Sequence, residues 1–249
     1  MQGIGRRCKS KGDFMRIGLF TDSHYSSQKV TCTNRYNSES LRKIKEAYGF
    51  FKKEKAELVI CLGDITDKED TKEKEIKNLL EIKEVIDESE IKTYIMMGNH
   101  DAFAFTEDEF YRHLGEDKRP KDLLSEKENL IFVDACYFAS GRRYMPGDSD
   151  WTDTFYPYTD ELSEKLSLLK GRSFVFMHQN VDKNIREDHR LSNDIELRRI
   201  FEESGKVKTV FQGHYHKGAE NTINKINYIA LKAMCENEGA YFIFDTEAE

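Results

Sequence analysis

Short apolar runs alternate with helical stripes along most of the chain. Ile17-Gly18-Leu19-Phe20, Leu58 to Leu62, Tyr94 to Met97, Ile131 to Val133, Phe174 to Met177 and Val207 to Phe211 are brief stretches dominated by apolar residues, the pattern of strands covered on both faces. Between them Leu41, Ile44, Tyr48 and Phe51 recur at steps of three and four, and Ile76, Leu79, Leu80 and Ile86 mark a second stripe. Both stripes predict crossover helices, and the alternation as a whole predicts an α/β fold. Thr106 with Glu109 forms a capping-box pattern closed by Gly115, and Ser192 to Glu203 followed by Gly205 repeats the start-and-stop logic. Ile223, Tyr228 to Leu231 and Tyr241 to Phe244 read as strands with no helix between them, which predicts a second, partly antiparallel sheet near the end.

Residues 1–14 are polar and carry Arg6, Arg7, Lys9 and Lys11 before any periodic pattern begins; they are expected to be a flexible extension. Residues 15–249 show no repeat, linker or composition break and are expected to form a single domain. The charged run from Asp67 to Glu75 reads as a solvated loop and helix start.

Composition narrows the classes. With 249 residues, 38% hydrophobic and 3 Pro, the chain can bury a sizeable core. The net charge of -7 offers no basic field for duplex nucleic acid. No run approaches the ~20 apolar residues of a membrane span, and no apolar leader is visible, so a cytoplasmic location is expected. The 5 cysteines are scattered without a Cys-x-x-Cys pair and are expected to be free thiols, with Cys61 a small buried hydrophobe.

Candidate chemistry gathers where the strands end. Asp22-Ser23-His24, Gly63-Asp64, Gly98-Asn99-His100-Asp101, His178 and Gly213-His214-Tyr215-His216 follow five different apolar runs and hold five of the 7 histidines. In open α/β sheets ligands bind at that edge. Imidazoles, carboxylates and an amide oxygen suit borderline divalent ions such as manganese, iron, zinc or cobalt. Taken singly, each block has a structural alternative in turn and cap chemistry; all five in this order do not.

In that order the blocks resemble the calcineurin-like metallophosphoesterases over roughly residues 15 to 245. The resemblance implies a four-layer αββα sandwich of two mixed sheets flanked by helices, with a dinuclear centre of manganese, iron or zinc. Carried over by position, it implies one ion on Asp22, His24 and His216, a second on Asn99, His178 and His214, and a bridging Asp64. His100 matches a residue beside the ions that protonates the leaving oxygen, and Asp101 matches its orienting partner. The implied reaction is hydrolysis of a small phosphoester by a metal-bound hydroxide. Asn34-Arg35-Tyr36, His178-Gln179-Asn180 and the Gly213 to Gly218 segment resemble the ADP-ribose/CDP-alcohol diphosphatase branch, which implies a phosphodiester or pyrophosphate of a nucleotidic molecule. A phosphomonoesterase and a non-catalytic scaffold of the same fold are the alternatives.

Substrate contacts are sought in the flanking loops. Tyr137, Phe138, Tyr144, Trp151, Phe155, Tyr156 and Tyr158 crowd a loop punctuated by Gly and Pro, which predicts either a satellite hydrophobic cluster or a stacking wall for a planar group. Arg35, Arg142 and Arg143 are candidate contacts to a second phosphate. His189, just ahead of a predicted helix start, is a further candidate, with Ser192 as the helix cap.

Overall fold

A computed structural model of the chain describes residues 15–32, 34–116 and 119–248; the extension expected over residues 1–14 lies outside them. β1 (Arg16–Phe20), β2 (Leu58–Cys61) and β3 (Thr93–Ile95) run parallel, with α1 (Ser40–Lys53) and α2 (Lys72–Ser89) as crossovers. Short helices α3 (Asn99–Ala104) and α4 (Glu107–His113) lead to β4 (Glu128–Val133). β4, β5 (Arg172–Met177) and β6 (Val207–Gln212) are again parallel, connected through α5 (Thr159–Leu168) and α6 (Asp194–Ser204). The chain finishes with β7 (Lys217–Ile223), β8 (Ile226–Lys232) and β9 (Tyr241–Asp245).

Two mixed sheets result, ordered β3-β2-β1-β9 and β4-β5-β6-β8-β7. The second sheet is partly antiparallel, as expected, but the C-terminal strands are divided between the two sheets. β7 and β8 form a hairpin over Asn224 and Lys225, both at positive φ, as a tight primed turn requires. β8 then adds in parallel to β6, so this hairpin extends a sheet already begun at β4. β9 crosses to the other sheet and pairs antiparallel with β1, Ile17 opposite Phe244.

Three apolar layers explain the unbroken hydrophobicity of the central strands. Phe20, Val59 and Cys61 pack outward against Ile44 and Phe51 of α1 and Leu79 and Ile82 of α2. Val175, Met177 and Val210 pack against Leu162, Leu166, Leu197 and Phe201 of α5 and α6. Between the sheets, Ile17, Leu19, Ile60 and Leu62 meet Phe174, Phe176, Phe211 and Leu231. Alternate residues of one strand thus serve different layers, and the architecture is helix, sheet, sheet, helix.

Two helix details differ from expectation. Leu80 is 44% exposed while Ile82 and Val85 are buried, so the core face of α2 lies one position away from the stripe read in sequence. Asn193, not Ser192, precedes α6; the Ser192 hydroxyl donates to the Thr154 carbonyl instead. The Thr106/Glu109 capping box and the left-handed Gly205 after α6 form as expected. Cys61, Cys136 and Cys235 are buried free thiols and Cys32 is exposed. Among the described residues no helix is long and apolar enough to cross a membrane.

Candidate metal centre

The loops after β1, β2, β3, β5 and β6 meet at one edge of the sandwich, and backbone hydrogen bonds tie them together. The Asp22 amide donates to Gly63 O and the His24 amide to Asp64 O, while the Gly213 amide donates to His178 O across the second sheet. Asp22, His24, Asp64 and His214 all adopt positive φ, a conformation that costs a residue with a Cβ on the order of 1 kcal/mol or more. Four neighbouring residues in that state mark a place where side-chain direction takes precedence over backbone comfort. Glycine serves close approach here: a Cβ on Gly98 would collide with the Asp64 carboxylate and backbone, and one on Gly213 with Thr21 and Asp22.

Each of the Asp22 and Asp64 carboxylates is anchored by backbone and presents an oxygen to imidazoles. Asp22 Oδ2 accepts from the Thr21 hydroxyl (2.6 Å) and shares the His214 backbone amide (3.0 Å) with Oδ1 (3.2 Å); Oδ1 lies 3.7 Å from His24 Nε2 and 3.4 Å from His216 Nε2. Asp64 Oδ1 accepts from the His100 amide at 2.8 Å. Its Oδ2 lies 3.6 Å from His24 Nε2 and 3.2 Å from His178 Nε2. One oxygen therefore faces both halves of the cluster. Asn99 Oδ1 is 3.2 Å from the same His178 nitrogen, and His24 Nε2 is 3.2 Å from His216 Nε2.

The rings are turned by groups behind them. His178 Nδ1 lies 3.0 Å from the Leu62 carbonyl and His216 Nδ1 2.6 Å from the Glu236 carboxylate. Acceptors at Nδ1 place the proton there and aim the Nε2 lone pair at the cluster. His178 Nε2 faces two oxygens, Asp64 Oδ2 and Asn99 Oδ1, an arrangement that positive charge satisfies, whether a second proton on the ring or a metal ion. The electrostatics agree. Burial works against protonation of both rings, yet the Asp64 and Asp22 carboxylates raise His178 to about 9, and Asp22 together with Cys235 raises His216 to about 11. Burial likewise opposes ionisation of Asp22 and Asp64, and the surrounding imidazoles still hold both well below the usual carboxylate range. The pocket demands positive charge. Ligand-type atoms of Asp22, His24 and Asp64, and of Asp64, His178 and His214, lie within 4.8 Å of one another. Imidazole, carboxylate and amide donors in two groups sharing Asp64 fit a pair of divalent ions.

The partner of His100 differs from expectation. Its Nδ1 lies 3.0 Å from Asp67 Oδ1, and the ring, 26% exposed against 0% for His24, is the open imidazole of the group. Asp101 is instead spent on backbone: it accepts from the Ile65, Thr66 and Gly98 amides and the Thr66 hydroxyl. It shapes the loop that carries Asp64 and does not hydrogen-bond to His100. Asp67, within the charged run read as solvated, is only 7% exposed and also accepts from the Asn37 side-chain Nδ2 (2.9 Å). Its position three residues after Asp64 at a strand end is the signal that could have found it. Glu236 has no sequence signal, because chain folding alone brings it to His216.

The remaining candidates divide. Arg35 Nη1 lies 3.7 Å from Asp67 Oδ2, at the rim of the cluster. His189 packs against His214, ring centroids 5.5 Å apart, and Trp151 touches both at 5.1 and 5.6 Å. Arg142 pairs with Asp148 and stacks on Phe138, and Arg143 is held by Asp134 at 2.5 Å and Glu107 at 3.4 Å. Among the described residues neither guanidinium pairs with a member of the cluster; both are tied to acidic neighbours of their own. The aromatic loop also divides: Tyr144 is buried against Phe103 and Phe138 as a satellite core, while Trp151 reaches the site.

A family model described as calcineurin-like phosphoesterase matches residues 15–218. No curated protein matches the chain by sequence. Among solved structures, a dimetal phosphatase from Danio rerio superposes with a TM-score of 0.79 at 16% identity, over 90% of this chain and 88% of that one. A Thermus thermophilus protein gives 0.58 at 10% identity, covering 90% and 92%. GAP50, the anchor in the inner membrane complex of Plasmodium, gives 0.58 at 11%, covering 92% and 78%. At these identities the likeness is one of fold.

Proposed function

The chain belongs to the calcineurin-like phosphoesterase family, which implies a dinuclear metal centre, and on that footing we propose that it hydrolyses a phosphodiester or pyrophosphate bond of a small nucleotidic molecule. One observation carries the reading: Asp64 Oδ2 faces His24 Nε2 at 3.6 Å and His178 Nε2 at 3.2 Å, so one carboxylate oxygen serves two adjacent donor sets. Asp22, His24 and His216 would hold one ion, Asn99, His178 and His214 the other, and Asp64 both. When bound, such a pair activates water and neutralises the phosphoryl oxygens.

The chain's own residues supply the rest. Asp67 fixes the His100 proton on Nδ1 or stabilises the doubly protonated ring, whose pKa lies above its ordinary value: burial opposes protonation, but the Asp64 and Asp67 carboxylates outweigh it. His100 is thereby suited to hand a proton to the leaving oxygen. Arg35 offers its guanidinium to a phosphoryl oxygen at the rim. With Arg142 and Arg143 committed elsewhere, this limited cationic reach suits singly charged diester phosphates better than a dianionic monoester. Trp151 and His189 offer ring faces beside His214 for a planar group such as a nucleobase.

The test is manganese reconstitution after EDTA stripping, followed by bis-p-nitrophenyl phosphate, p-nitrophenyl phosphate, ADP-ribose, CDP-alcohols and cyclic nucleotides in parallel. The reading expects diester or pyrophosphate turnover above monoester turnover. Dominant monoester turnover would establish the phosphomonoesterase alternative, and a metal-loaded protein inert on every substrate would establish the scaffold. Elemental analysis of Asp64→Ala should show both ions lost, since two cations would face each other without the shared carboxylate; a full complement removes Asp64 as the bridge.

A further inference from the structure

The segment after β8 runs alongside the loop after β1. The Met234 amide donates to Thr21 O at 3.1 Å and the Cys235 amide to Asp22 O at 3.0 Å. This pairing brings Glu236 to His216 and leaves the Cys235 side chain fully buried. There its sulfur lies within 4.8 Å of ring nitrogens of both His24 and His216. The same two rings face each other through Nε2 at 3.2 Å, with Asp22 Oδ1 at 3.7 and 3.4 Å. Donors sharing one zinc ion through bonds of about 2.0–2.3 Å lie at most about 4.4 Å apart, and the sulfur falls within a few tenths of an ångström of that range. Cys136 is engaged elsewhere, 3.6 Å from the Met97 carbonyl.

We propose that Cys235 is a thiolate ligand of the ion held by Asp22, His24 and His216. The inference rests on the dinuclear reading and sharpens it, because a sulfur donor selects thiophilic ions such as zinc or ferrous iron over manganese or magnesium at this one position. Coordination replaces the S–H bond by a sulfur–metal bond and releases one proton to water. The second position, built from Asn99, His178 and His214, keeps nitrogen and oxygen donors only. The two ions therefore differ in kind, the first soft and tightly held, the second harder and exchangeable.

Cobalt(II) loading of the full chain reads this directly. The native protein should bind two ions and show a sulfur-to-cobalt charge-transfer band in the near ultraviolet, lost in Cys235→Ser and Cys235→Ala and kept in the exposed control Cys32→Ser. In competition titrations Cys235→Ser should weaken zinc binding by at least the ~10- to 100-fold that loss of an outer-shell partner costs, with manganese affinity unchanged. Two bound cobalt ions without the band overturn the inference while leaving the dinuclear reading intact. So does a band that survives Cys235→Ser, or equal weakening of zinc and manganese. No cobalt binding at all overturns both.

Discussion

On the proposed reading, His100 and Asp67 would serve proton transfer and not ion capture. His100 touches the cluster through its ring and the Asp64 oxygen through its amide, so His100→Asn should retain both ions while turnover falls on the order of 10²- to 10⁴-fold. The defect should shrink with an acidic leaving group such as p-nitrophenol and grow with a poor alkoxide; a defect equal across leaving groups would refute the proton-donor role. Asp67 acts by positioning, and Asp67→Asn should give a smaller loss, about 10- to 100-fold, with the same leaving-group dependence. The dependence on leaving group is the part that a merely structural Asp67 would not produce. The ligand-type residues are legible in sequence because histidine, aspartate and asparagine at strand ends have little structural reason to be there. Asp67 is not, since a carboxylate inside a charged run looks solvated, and Asp101 reads as the partner of His100 although its oxygens are consumed by amides of residues 65, 66 and 98. Cys235 and Glu236 are invisible for a different reason: contacts across the fold, not local pattern, bring them to His216.

Helices and strands are legible where the signal is local. The apolar stripe of α2 includes Leu80, yet the helix turns Leu79, Ile82 and Val85 to the core and leaves Leu80 out. An apolar pair at adjacent positions cannot tell sequence analysis which member faces inward, because a helix buries only one stripe. Chemical denaturation checks the phase: Leu79→Ala should cost about 2–5 kcal/mol, whereas Leu80→Lys should stay within about 0.5 kcal/mol. Equal costs would mean that α2 is rotated. The C-terminal strands illustrate the limit of local reading. Their hairpin turn is encoded at Asn224-Lys225, but the choice of β6 and β1 as partners depends on which edges the rest of the chain leaves open.

The site belongs to the whole sandwich. Asp22, His24, Asp64 and Asn99 follow strands of one sheet, and His178, His214 and His216 follow strands of the other. Ions held by these residues would therefore clamp the two sheets together at one edge. Saturating metal should raise the thermal midpoint, with a gain of about 2.7 kcal/mol at a hundredfold excess over the dissociation constant; EDTA should reverse it, and Asp64→Ala should abolish it. A midpoint indifferent to metal would show that the clamp does not exist. The same topology sets an order of events during synthesis. β1 lies inside its sheet only because β9, near the end of the chain, covers its free edge. Until those residues emerge from the ribosome, the strand that leads to Asp22 and His24 is an open edge, exposed to pairing with another nascent chain. Because His214 and His216 follow β6, the complete donor set would come together only after most of the described strands have been made.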